Sequence, residues 1–157
     1  MASLAPLPGL VAPRVLSPDE RRIAHLIDAA LLEMQAAGRH AVRIVDIGCR
    51  SGATLIRALV RARGLGFVAI EGRGVDLSGD DVMIARWATR TWRDPAIGVA
   101  FEAGDILDAL AQEEDASVDI LLCARDALER LPIFARRAAA GEIRRIADRL
   151  LLKGAHR

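Results

Sequence analysis

Three acids in this chain each close an apolar run, and their types and spacing are the best candidates for chemistry. Asp46 stands in Val42-Arg43-Ile44-Val45-Asp46-Ile47-Gly48, Asp76 in Gly74-Val75-Asp76-Leu77-Ser78, and Asp105 in Ala103-Gly104-Asp105-Ile106. Beyond Asp46 the chain turns through Gly48-Cys49-Arg50-Ser51-Gly52 and enters a helical pattern at Ala53. A β-branched run, a glycine turn and a helix start form a geometry in which backbone N–H groups face a ligand. The acid sets that ligand's charge. A carboxylate two residues before Gly48 would repel a pyrophosphate, which G-x-G-x-x-G loops are built to hold, and would attract an ammonium group. The interval from Gly52 to Asp76 is close to the ~20 residues that separate a nucleotide loop from the acid holding a ribose hydroxyl pair.

The elements that must position these acids alternate along the chain. Residues 1 to 16 read as a flexible tail broken by Pro6, Pro8 and Pro13, without the basic start of a signal peptide. Ser17-Pro18-Asp19-Glu20 carries an N-cap serine, a first-turn proline and a third-position glutamate, so a helix begins there. Ile23, Leu26, Ile27, Ala30, Leu31 and Met34 repeat at helical spacing, and Gly38 stops the pattern. The expected core spans residues 42 to 157. Strands are expected over about 42–47, 68–77, 99–102 and 118–123. Helices are expected over 53–63, from Ser78 to Trp92, over 106–112 and from Arg136 to Leu152. Strands alternating with helices predict an α/β fold with a doubly wound, mostly parallel sheet of about four strands and right-handed crossovers.

The 157 residues suffice for one domain with a core, and a hydrophobic share of 52% against 27% charged supports burial over disorder. Acids are interleaved with the arginines and the formal charge is +1, so no basic stripe points to nucleic acid. Cys49 and Cys123 lie far apart without a C-x-x-C pair, which excludes a sequence-evident zinc site and a disulfide framework; a reducing cytoplasm fits best. No apolar run approaches the roughly 18 residues that span a bilayer.

Taken in order, these segments resemble class I S-adenosylmethionine-dependent methyltransferases over about residues 42 to 155. Asp46-Ile47-Gly48-Cys49-Arg50-Ser51-Gly52 resembles the family's D-x-G-x-G-x-G loop, Val75-Asp76-Leu77-Ser78 its ribose-binding strand end, and Gly104-Asp105-Ile106 its adenine-contacting segment. Asp119-Ile120-Leu121-Leu122-Cys123, with Leu128-Glu129-Arg130-Leu131-Pro132, is similar to the fourth strand and the L-E-H-L-P stretch after it. The resemblance implies that S-adenosylmethionine is the cofactor. Asp46, Gly48 and Gly52 would hold its methionine portion, Asp76 with Leu77 the ribose, and Asp105 with Ile106 the adenine. It implies methyl transfer to O, N or C of a small-molecule acceptor, with no catalytic residue readable.

Two departures stand beside the resemblance. Arg50 replaces the loop's middle glycine, whose lack of a side chain lets backbone approach the ligand. Leu150-Leu151-Leu152-Lys153-Gly154-Ala155 resembles the helix end and turn before the family's fifth strand, so the C-terminal strands are expected to be lacking. The fourth strand would then be a sheet edge, a surface through which a homodimer can pair. These departures keep open a non-catalytic, methyltransferase-like binding or interaction module. A NAD-dependent oxidoreductase is disfavoured by the missing third glycine and by Asp46. Of the remaining polar residues, Asp126 and Glu129 are the chemically plausible bases, whereas arginine at position 130 is not. Cys49 and Cys123 read as small hydrophobes, and Trp87 and Trp92 as packing residues. No Asn-Pro-Pro-Tyr-like segment follows the fourth strand, which argues against methylation of nucleic-acid bases.

Overall fold

A computed structural model describes residues 15–154. Nearly all of the expected tail, and residues 155–157, lie outside the described residues. Helix α1 runs Pro18–Ala36, and its start is built as the sequence dictates: the Ser17 side chain accepts from the Glu20 amide, and the Glu20 carboxylate accepts from the Ser17 amide at 2.7 Å. The elements that follow are β1 Ala41–Ile47, α2 Ala53–Gly64, β2 Ala69–Asp76, α3 Gly79–Thr89, β3 Ile97–Ala103, α4 Ile106–Ala111, β4 Ile120–Ala124, α5 Arg125–Glu129, α6 Ile133–Ile146 and β5 Leu150–Lys153.

All five strands are parallel, in the order β3-β2-β1-β4-β5. Alternate residues of the central strands face opposite layers. Ile44, Ile120 and Leu122 join α1, α2 and α3 in one core, while Val45, Ile47, Leu121 and Cys123 join α4 and α6 in the other. With helices on both faces, every residue of β4 is buried, as a parallel central strand requires. From β1 the chain winds outward through β2 and β3, then returns to the other side of β1 for β4. The C-terminal ends of β1 and β4 therefore flank the crevice in which doubly wound sheets bind ligands.

The sheet has one strand more than the sequence suggests. The expected last helix ends at Ile146, not Leu152; Ala147 is extended, and Leu150–Lys153 pairs with β4 from Leu121↔Leu150 to Ala124↔Lys153. A short run such as Leu150-Leu151-Leu152 has no period that separates helix from strand. Here the decisive factor is tertiary: β4 offers unpaired backbone groups that β5 satisfies, as in the bond from the Leu121 amide to the Arg149 carbonyl at 2.8 Å. The fourth strand is therefore not an edge, because β5 occupies the side expected to be open. Trp92 packs against the core as expected, but Trp87 is 65% exposed and carries the Arg90 guanidinium 3.3 Å from its ring centroid.

Candidate functional site

The loop between β1 and α2 is shaped by contacts that exclude side chains. Gly48 has φ +68°, and a Cβ there would lie 2.8 Å from the Ala124 Cβ, so β4 and α5 can close on the loop only because position 48 is glycine. Gly52 has φ +75°, and its Cβ would lie 2.7 Å from the Phe101 ring. Gly52 is thus buried beneath β3 and serves packing.

The loop's first amides are directed inward. Gly48 and Cys49 donate to the Val75 carbonyl at 2.9 and 3.1 Å, and Arg50 donates to Asp76 Oδ2 at 2.7 Å. These N–H groups, expected to face a ligand, instead satisfy the end of β2.

A cleft of about 370 Å³ opens over the C-terminal ends of the strands. Gly48, Asp76, Leu77, Asp105 and Ile106 line it, so the three segments singled out in the sequence converge on one space. Asp76 Oδ1 accepts from the Ser78 amide at 2.9 Å, and with the Arg50 amide on Oδ2 each oxygen carries one backbone bond. A carboxylate has about four acceptor sites, so Asp76 retains capacity for a hydroxyl pair. Asp105 is the N-cap of α4: its Oδ1 accepts from the amides of Leu107 and Asp108 at 2.8 and 3.2 Å. Ile106 is buried beside it, and Leu77 is 69% exposed.

Asp46 does not reach this space. Its carboxylate is fully buried, Oδ1 receives the Lys153 ammonium, and Oδ2 has no hydrogen-bond partner. Burial pushes the Asp46 carboxyl above its ordinary value, with the Lys153 charge opposing the shift. Lys153 also donates to the Gly48 carbonyl at 3.0 Å. It lines a second cavity, of about 220 Å³, together with Glu20, Ser51 and Thr54.

Arg50 stands between the two spaces and lines both. Its φ of +51° is unusual for a residue with a Cβ, and its guanidinium reaches α5, where it meets Asp126 Oδ2 at 2.9 Å. Arg130 meets the same oxygen at 2.5 Å. Burial would raise the Asp126 carboxyl, but the Arg50 and Arg130 charges outweigh it and hold the carboxyl below its ordinary value. An acid held ionised between two arginines makes a poor general base. Glu129 is exposed, and Cys49 and Cys123 are pushed up to about 12 by burial, Cys49 also by the Asp46 and Asp76 charges. Lys153 and the Arg50–Asp126 bridge had no signal in the sequence beyond Lys153 being the chain's single lysine. Among the described residues no cluster of His, Cys, Asp or Glu could hold a metal ion, and no helix is long and apolar enough to cross a membrane.

No family profile matches the sequence, and no curated protein does. Solved structures do match. The chain superposes on WbdD, described as a bifunctional kinase-methyltransferase, with a TM-score of 0.68 at 16% identity over 84% of this chain and 29% of that one. On DszA carbon methyltransferase the TM-score is 0.62 at 16% identity, over 92% and 38% of the two chains. On magnesium protoporphyrin IX methyltransferase from Synechocystis PCC 6803, solved with bound SAM, it is 0.55 at 19% identity, over 90% and 64%. The fold is that of the class I methyltransferases. The chain spans less than two thirds of each of these proteins.

The fit of S-adenosylmethionine to this methyltransferase fold differs between its two ends. At the nucleoside end the residues fit, because Asp76 keeps acceptor capacity and opens onto the same cleft as Asp105 and Ile106. At the amino-acid end Asp46 is withheld, its one bonded oxygen already taken by Lys153.

Proposed function

We propose that the chain binds S-adenosylmethionine in the cleft at the β1/β4 switch point and transfers its methyl group to a small-molecule acceptor. The observation that carries this reading is the convergence of Gly48, Asp76, Leu77, Asp105 and Ile106 on that one cleft, in a methyltransferase fold. When bound, S-adenosylmethionine supplies a methyl group activated by the sulfonium charge. The chain's own residues bind and orient. Asp76 accepts from the ribose hydroxyls, Asp105 and Ile106 border the adenine, and Leu77 covers the nucleoside with apolar surface. Holding donor and acceptor in line contributes several kcal/mol by itself, so transfer needs no conspicuous acid–base pair.

A second reading, a binding module without catalysis, is favoured by the Arg50–Asp126 bridge, which crosses from the loop to α5 at the boundary of the cleft. Backbone amide spectra distinguish the sites. Added S-adenosylhomocysteine is expected to shift the amides of Leu77, Ser78, Asp105 and Ile106; shifts confined to the outer face of α3, around Met83 and Trp87, would contradict the proposal. Ligand-dependent shifts without methyl transfer to any acceptor tried would favour the second reading.

A further inference from the structure

The structure reverses the charge that the sequence places at the amino-acid end of the site. Asp46, the acid suited to an ammonium, is fully buried and does not line the cavity beside the loop. Lys153, the last residue of β5, stands between them. Of the three donors on its Nζ, one goes to Asp46 Oδ1 and one to the Gly48 carbonyl at 3.0 Å, which leaves a third for the cavity that Lys153 lines. The other charged groups on that cavity are engaged: Arg50 with Asp126 at 2.9 Å, and Glu20 with the Ser17 amide at 2.7 Å and 3.8 Å from Arg57. A ligand's ammonium arriving here meets a second ammonium at the point where Asp46 would have received it. A carboxylate meets a donor already fixed in place.

We infer that Lys153 makes this site select its S-adenosyl ligand by the terminal carboxylate and not by the α-amino group. The inference rests on the S-adenosyl reading of the cleft and adds the residue that sets specificity at its far end. The paired Lys153–Asp46 unit is a preorganised carboxylate holder: Asp46 and the Gly48 carbonyl fix the ammonium, and the ligand takes the remaining N–H as a charge-assisted bond.

Calorimetric titration with four probes tests this: S-adenosylhomocysteine, its deaminated analogue, its decarboxylated analogue, and 5′-methylthioadenosine, which lacks both groups. The deaminated analogue is expected to bind within about threefold of S-adenosylhomocysteine, and the other two to bind about 10- to 100-fold more weakly, the loss of one hydrogen bond to a charged group. In Lys153→Met the carboxylate penalty should vanish, whereas in Arg50→Gly it should persist. Loss of affinity on deamination but not on decarboxylation would overturn the inference and return the ligand's ammonium to Asp46. That comparison is made on the wild-type chain, so it stands even if Lys153→Met fails to fold. Equal binding of all four probes would overturn the role of Lys153 while keeping the nucleoside cleft. Binding of none would overturn the S-adenosyl reading itself.

Discussion

Lys153 reaches from the end of β5 past β4 to the buried carboxylate of Asp46 at the end of β1, and a second bond ties the same ammonium to the Gly48 carbonyl at 3.0 Å. One side chain thus joins the outermost strand to the central one directly beneath the candidate site. Removing the cation leaves a fully buried charge unpaired, which costs about 3–5 kcal/mol in comparable pairs. Lys153→Met is therefore expected to destabilise the chain by that amount near pH 8. The dependence on pH has a defined sign. Burial already raises the folded-state value of Asp46, and loss of Lys153 raises it further. The folded variant then binds a proton that the unfolded chain has released, so its stability falls as pH rises above the ordinary carboxylate range. Urea unfolding at pH 5 and pH 8 checks this; a smaller deficit at pH 8 than at pH 5 would contradict it.

Asp76 has a structural as well as a proposed binding role, because its two oxygens accept the Arg50 and Ser78 amides. Asp76→Ala should weaken S-adenosylhomocysteine by about 1.5–3 kcal/mol and also lower stability by about 1–3 kcal/mol, since both amides lose a partner. Titration and thermal unfolding of the same sample separate the two effects, and unchanged affinity would remove Asp76 from the site.

Arg50→Gly is expected to tighten S-adenosylhomocysteine binding. Glycine adopts φ near +51° without strain, and the substitution withdraws the guanidinium that links the loop to Asp126 along the cleft wall. The lost bridge is partly exposed and contributes at most about 1 kcal/mol, so stability should change little. Weaker binding in calorimetry would show that Arg50 holds the ligand.

The two thiols are expected to be inert in the native chain. Cys49 and Cys123 are buried and pushed up to about 12, so almost no thiolate exists at neutral pH. Iodoacetamide at pH 8 should label neither until denaturant is added; rapid native labelling of Cys49 would mean that the loop opens.

The sequence made the inner part of this fold legible because local and tertiary preferences agree there. The capping box at Ser17, the strand ending at Ile47 and the turn through Gly48 and Gly52 all appear where their chemistry requires. The convergence of Asp76 and Asp105 on one cleft followed from their strand-end positions alone. What was illegible depends on contacts between distant residues. The run from Leu150 to Leu152 is a strand only because β4 is there to pair with it. Asp46 and Gly52 looked like ligand residues because their types and spacing suit a ligand. Whether such residues face outward is decided by Lys153 and Phe101, which lie far away in sequence.

The most direct measurement is thermal unfolding with S-adenosylmethionine, S-adenosylhomocysteine and NAD run in parallel. Ligand at 100 times its dissociation constant stabilises a native state by about 2.7 kcal/mol, which for a domain of this size raises Tm by roughly 5–11 °C. Such a rise is expected with both S-adenosyl compounds at millimolar concentration and none with NAD. A rise with NAD alone would contradict it.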